Sequence, residues 1–271
     1  MKVGVVQMNS QRDKVENLAQ AERLITTLIA RDEPDLIALP EYFASIGGDR
    51  DFIRSTGEAF PEGPGYRLIA RLAREFETTI HCGSMVEKAA DGYYNTSVVF
   101  GPDGQEIARY RKMHLFDIDS PDGTAYRESE TIRRGSDIVT FKVGDVTIGC
   151  AICYDIRFPE LFRALRDRGA DVIVVPAAFA LMTGKDHWEV LVRARAIETQ
   201  TYVVAPGQTL SHDDGKFWCW GHSMIVDPWG HVVARCSDGV GTTCATLDLD
   251  LVAGARARIP VAAHHVLQGV S

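Results

Sequence analysis

Short apolar runs alternate with amphipathic stretches along the whole chain. "KVGVVQM" reads as a first strand, and 13–30 repeats its apolar positions at helical spacing. "DLIALP" has the unbroken apolar character of a buried strand. A helix over 65–76 precedes "TTIHCGS". "YYNTSVVF" and "QEIARYRK" alternate across the turn "GPDG" and predict a hairpin. Residues 113–136 read as a long polar loop. "DIVTFKVGDVTIGCAIC" predicts a second hairpin, turning at Gly144 and Asp145. Pro159 suits the first turn of a helix over 159–168, which Gly169 ends. The strand "DVIVVP", a strong helix over 186–199 and the strand "TYVVAP" follow. "HSMIVD" and "HVVARC" flank "PWG" as a third hairpin. "TTCATLDLD" closes the strand series, and a short helical patch precedes the tail. Parallel-type strands mixed with hairpins predict one α/β domain over 1–271, with more than one sheet.

Composition narrows the function classes. The chain has 271 residues, 45% hydrophobic and 24% charged, which is ordinary for a globular protein with a large core. A net charge of −8 with no basic block argues against nucleic acid or an anionic membrane as partner. No apolar run reaches the roughly 18 residues that span a bilayer. The N-terminal apolar run ends in polar residues without a small-residue cleavage site, so a cytoplasmic location is expected. Asn95-Thr96-Ser97 matches a glycosylation sequon, which means little without a secretion signal. The six cysteines are scattered and read as free thiols in a reducing compartment.

Chemistry enters at "TIGCAICYDIRFPE", where Cys150 and Cys153 stand three apart at a strand end. Strand alternation would send them to opposite faces, which disfavours a shared metal or a disulfide. A thioredoxin-type pair opens a helix, whereas the helix here starts near Pro159. Cys219 and His222 are the second pair that a zinc site would need, but they fit a strand entry better. The remaining readings are a buried structural cysteine and a nucleophile at a strand end. No histidine lies in a cysteine-protease context. Glu41, after "DLIALP", and Lys112, after "EIARYR", also follow strands.

"LIALPEYF", "YRKMHLFD" and "GCAICYDIRFPEL" together resemble the three motifs of the nitrilase superfamily of carbon–nitrogen hydrolases. The likeness continues through "AYRESETIRRGSD", "HWEVLVRARAIETQTYVVAP" and "GHSMIVDPWGHVVARC", in order over nearly the whole chain. It is strongest to the branch holding omega-amidase and deaminated glutathione amidase. The tail departs: "IPVAAHHVLQGVS" keeps Pro260-Val261 and lacks the usual basic, aromatic run.

The resemblance implies a four-layer α-β-β-α sandwich, usually a homodimer or a higher homo-oligomer, with no cofactor or metal. It implies Cys153 as nucleophile, Glu41 as general base and Lys112 as oxyanion-stabilising group. Glu128 would be a second, supporting glutamate, with Glu130 as its neighbouring alternative. The Tyr154 N–H would be a further oxyanion donor. Tyr42, His114, Arg157, Ala178, Phe179 and His187 are expected around the substrate. Asp155 and Arg157 are expected to hold the turn after Cys153, by pairing with each other or with backbone. Trp188 reads as core, and Arg195 and Glu198 as a pair on one helix face. Phe217, Trp218 and Trp220, after the polar "SHDDGK", would either close over substrate or pack at a subunit contact. The implied substrate is a small linear carboxamide, with the amide of a 2-oxo acid the first choice. N-carbamoyl amides and nitriles are alternatives within the family. A dithiol or metal-binding protein using Cys150 and Cys153 is the alternative outside it.

Overall fold

The computed structural model describes residues 1–119, 123 and 125–266. The first half runs β1 (Lys2–Gln7), α1 (Lys14–Asp32), β2 (Leu36–Ala38), α2 (Arg50–Thr56), α3 (Pro64–Glu75), β3 (Thr79–His81), β4 (Met85–Ala89), β5 (Gly92–Phe100) and β6 (Glu106–Arg111). The middle holds β7 (Asp117–Asp119), β8 (Ala125–Arg127), β9 (Thr140–Val143), β10 (Val146–Cys150), α4 (Pro159–Asp167) and β11 (Val172–Val174). Then follow α5 (Leu181–Thr199), β12 (Tyr202–Ala205), β13 (Thr209–His212), β14 (Phe217–Trp220), β15 (Met224–Val226), β16 (Val232–Arg235), β17 (Gly241–Thr246), α6 (Asp250–Arg258) and α7 (Val261–His264). Single 3-10 turns cover Glu128–Glu130 and Cys153–Arg157.

The strands form two large sheets. One has the order β17-β1-β2-β3-β5-β4, with β6 also on β5; the other is β16-β15-β12-β11-β10-β9. Each has three parallel strands at its centre and antiparallel strands outside them. Alternation sorts the side chains into layers. Val3, Val5, Leu36 and Ala38 from one sheet pack with Ile148, Cys150, Val172 and Val174 from the other. The opposite face of the first sheet, with Val6, Ile37 and Ile80, packs on Ile25 and Leu28 of α1 and on Ile69 and Leu72 of α3. Leu161 and Leu165 of α4 and Trp188 and Val192 of α5 cover the second sheet. The result is the four-layer α-β-β-α sandwich.

Two glycines let the helix layers approach. A Cβ on Gly4 in β1 would sit 2.6 Å from Leu28 Cδ2 of α1. One on Gly149 in β10 would meet Leu165 of α4 at 3.0 Å. Helix α1 starts cleanly because the Asp13 carboxylate accepts the Val15 and Glu16 N–H groups.

Several expectations need correction. The 113–136 stretch is not simply a loop: β7 pairs with β8, and a 3-10 turn follows. Residues 120–122 and 124 of that stretch, and 267–271 of the divergent tail, lie outside the described residues. Helix α5 begins at Leu181, ahead of the expected 186, and α2 was not anticipated. The polar "SHDDGK" segment is the end of β13 and its turn into β14. Trp188 is fully buried, and Arg195 meets Glu198 at 2.5 Å.

Candidate active site

β2, β6 and β10 end at one edge of the sandwich, and Glu41, Lys112 and Cys153 stand just beyond those ends. They meet at the foot of a cavity of about 580 Å³. The cavity is walled by Tyr42, Phe116, Tyr154, Phe179 and Phe217 among others, and Ala178 also lines it.

The charged cluster is buried and tightly bonded. Lys112 is 2% exposed; its Nζ donates to Glu41 Oε1 and to Glu128 Oε2, each at 2.9 Å. Asn95 Nδ2 donates to Glu41 Oε1 at 2.8 Å and to Glu128 Oε1 at 3.2 Å. The Ala178 N–H donates to Glu41 Oε2 at 2.8 Å. Tyr42 Oη and the Phe116 N–H both donate to Glu128, each at 2.7 Å. Gln208 Nε2 donates to the Glu41 carbonyl at 3.0 Å. Glu128 is therefore the second glutamate of the cluster, whereas Glu130 pairs with Arg50 near the cavity mouth.

Electrostatics follow from this arrangement. Burial alone would pull the Lys112 ammonium down, but Glu128 and Glu41 outweigh it and hold Lys112 well above its ordinary value. Burial acts upward on Glu128, and Lys112 reverses it, leaving that carboxyl below its ordinary range. Burial and the adjacent Glu41 carboxylate push the Cys153 thiol well up, and Lys112 pulls the other way. With no base beside it, such a thiol would be inert; Glu41 is the acceptor in contact with it.

The local backbone explains how Cys153 reaches the cavity. β10 stops at Cys150, so Cys153 is not on the strand at all. It opens the 3-10 turn with a left-handed φ of 46°, and its N–H donates to the Pro176 carbonyl at 2.8 Å. That conformation is uncommon outside glycine and marks a constrained elbow. The turn, rather than strand alternation, separates the two cysteines. Cys150 stays in the inter-sheet core, where burial raises its thiol.

Asp155 holds the elbow, but not through Arg157. Its Oδ2 accepts from the Ile152 N–H at 2.8 Å and from Tyr110 Oη at 2.7 Å, and its Oδ1 accepts from the His114 N–H at 3.0 Å. This fully buried carboxyl ties the exit of β6, which carries Lys112, to the turn that carries Cys153.

Two expected pocket residues lie elsewhere. His114 sits against Asp155 Oδ1 at 2.7 Å and stacks on Phe158, so it supports the elbow from outside the cavity lining. His187 is also outside the lining, on α5, with its Nδ1 3.4 Å from Arg157 Nη2. Tyr42, Arg157, Ala178 and Phe179 do line the cavity, together with the side chain of Tyr154. Of the aromatic trio, Phe217 lines the cavity, Trp220 stacks on His222 and Trp218 is half exposed. Sequence reasoning missed Asn95 and Gln208. Asn95 stood out only as a sequon, yet it is fully buried between two carboxylates.

Comparison with known proteins agrees with the geometry. The Carbon-nitrogen hydrolase family profile matches residues 2–257. The chain belongs to the carbon–nitrogen hydrolase family. A Synechocystis protein named deaminated glutathione amidase is 40% identical over 266 residues, covering 96% of both chains. Omega-amidase NIT2 of Bos taurus is 37% identical over 260 residues, covering 96% of this chain and 93% of its own. The crystal structure of Saccharomyces cerevisiae Nit3, a member of branch 10 of the nitrilase superfamily, matches with a TM-score of 0.87 at 32% identity. That match covers 96% of this chain and 94% of Nit3. As a member of this carbon–nitrogen hydrolase branch, the chain is an amidase acting on carbon–nitrogen bonds.

Proposed function

We propose that the protein hydrolyses a small linear carboxamide bearing a carboxylate or 2-oxo acid end, through a thioester on Cys153. The observation that carries this reading is the convergence of Glu41, Lys112 and Cys153 at the foot of one cavity. Cys153 attacks the amide carbonyl while its proton passes to Glu41. The oxyanion is held by the Lys112 ammonium and the Tyr154 N–H; one such donor is typically worth about 10²–10³ in rate. Collapse of the intermediate breaks the carbon–nitrogen bond, and Glu41 protonates the leaving nitrogen, which departs as ammonia. Glu41 then takes a proton from water as its oxygen attacks the thioester. The acid leaves and Cys153 recovers its proton. Glu128 holds the ammonium in place, with Tyr42 behind it.

The cavity wall supports a carboxylate end. Four cations besides Lys112 line it: Arg50 pairs with Glu130, Arg127 with Asp119 and Lys216 with Asp213. Arg157 has no carboxylate partner among the described residues and lies over the Phe179 ring, 5.3 Å from its centroid. A guanidinium so placed suits a planar carboxylate. The names of the Synechocystis and bovine relatives agree with this choice.

The same reading takes 1–271 as one working unit, located in the cytoplasm and paired as a homodimer. No helix among the described residues is long and apolar enough to cross a membrane. Large apolar side chains stand exposed on α5 and the β15–β16 hairpin, including Val190 at 65% and Trp229 at 52%. Such a patch favours a covering partner.

The test is ammonia release from 2-oxoglutaramate, deaminated glutathione, simple aliphatic amides, N-carbamoyl compounds and a nitrile. The 2-oxo acid amides should be turned over best. Arg157→Gln should raise KM for the carboxylated amides about tenfold or more and leave the aliphatic amides nearly unchanged. Cys153→Ala and Glu41→Gln should fold and lose turnover. Full activity in either would end this mechanism, and carbon dioxide released with the ammonia would point to the carbamoyl class.

A further inference from the structure

The hydrogen bonds on Glu41 are distributed unevenly between its two oxygens. Lys112 Nζ and Asn95 Nδ2 both donate to Oε1, at 2.9 and 2.8 Å. Oε2 accepts the Ala178 N–H at 2.8 Å. A carboxylate offers about two lone-pair sites on each oxygen. Oε1 is therefore filled, and Oε2 keeps one site open. Ala178 and Glu41 are both among the groups that act on the Cys153 thiol, which puts Oε2, the oxygen bonded to Ala178, on the cysteine's side of the carboxylate.

We propose that Asn95 is a positioning residue that fills Glu41 Oε1, leaving Oε2 as the one oxygen that moves protons between Cys153, the leaving nitrogen and water. The proposal rests on the reading of Glu41 as the general base.

The placement of Asn95 suits this task. It sits in β5 next to the exit of β6, and its carbonyl accepts the Lys112 main-chain N–H at 2.9 Å. One residue thus fixes the backbone of the lysine and both carboxylates that the lysine serves. The amide cannot be reversed, because its oxygen would then face two carboxylates. In the orientation adopted, Asn95 Oδ1 is buried with no hydrogen-bond partner among the described residues. An orphan buried acceptor is destabilising, so this side chain is explained by its donors and not by packing. The titratable groups that interact with Glu41 are Lys112, Tyr42, Cys153 and, from β14, Cys219, and Glu128 faces it across the shared Lys112 and Asn95. Unlike Lys112, Asn95 donates without adding charge, and its bond does not change with pH.

Asn95→Leu and Asn95→Asp test this. The first has similar size and removes the donor; the second keeps the shape and replaces the donor with a charged acceptor. The readouts are kcat, KM, the pH profile of kcat/KM, and the pH dependence of Cys153 alkylation by iodoacetamide, followed by peptide mass. Losing a donor to the charged form raises the proton affinity of Glu41. The acid limb of both profiles should therefore move up by about one pH unit in Asn95→Leu. It should move further in Asn95→Asp, which adds a third carboxylate. In Asn95→Leu kcat should fall about tenfold to a hundredfold with KM within about twofold. Alkylation needs no turnover, so it decides the matter in a variant that is folded but inactive; Asn95→Asp decides it should the leucine variant fail to fold. Wild-type acid limbs in a folded variant, with only the melting temperature lowered, would overturn the proposal. Glu41→Gln separates the two levels. If it stays active, the general-base reading itself falls. If it is inactive while the Asn95 variants keep wild-type profiles, only the role of Asn95 falls.

Discussion

At the residue scale, the site is a buried cluster whose members depend on one another. Lys112 carries its charge in the interior because two carboxylates hold it there. Removing one partner of such a cluster leaves the others buried and uncompensated. Lys112→Met is therefore expected to lower unfolding free energy by about 3–5 kcal/mol, besides losing turnover. Chemical denaturation will show it, and a variant as stable as the parent would contradict the account. Glu41, Lys112 and Cys153 were legible in the sequence because each is a reactive residue type just past a strand. Asn95 was not, since a polar residue inside a strand carries no mark of what it faces. His114 and His187 show the reverse failure. Both are reactive types near the motifs, and the fold turns one onto Asp155 and leaves the other outside the cavity lining.

At the scale of elements, periodicity found most strands and helices because their apolar faces are regular. The three predicted hairpins all form. What periodicity missed is short or without a regular apolar face: α2 has no buried residue, and β7 and β8 span three residues each. Helix α5 runs five residues ahead of its expected start, which places Ala180 and Thr183 at the cavity wall. The contact of helix with sheet depends on individual side chains. Gly4→Ala would put a methyl group into Leu28, which is itself fully buried and has little room to move. We expect it to cost about 1–3 kcal/mol, read as a lower melting temperature. Activity should persist, because the change lies on the α1 face of the sheet, away from the strand ends.

At the scale of the whole molecule, burial sets the response to acid. Burial holds the His81 imidazole down to about 3 from 6.5, and lowers His212 as well. The unfolded chain takes up protons that these folded-state groups refuse, so stability is complete above about pH 6.5 and falls as pH drops below it. Carboxylates join only near their own ordinary range, so the loss between about pH 6.5 and 5 belongs to the histidines. The melting temperature should decline across that window. His81→Leu should start lower, because the Gly83 N–H loses its acceptor, and should vary less. The assembly is tested separately. Ile197→Asp places a charge on the exposed apolar face of α5; if the proposed pairing holds, sedimentation should report a dimer for the parent and a monomer for the variant. The sequence by itself determined the order of most elements and singled out three reactive residue types just past strands, and its likeness to the family carried the layer class. The elements follow from local periodicity and turn chemistry, which are written along the chain, whereas the layer class follows from the family resemblance of the motifs. Only the tertiary structure decided that Asn95 bridges two carboxylates, that Asp155 joins the Lys112 and Cys153 segments, and that Arg157 meets no acid among the described residues. These depend on which distant strands end side by side, and on what burial then requires of every charge enclosed between them.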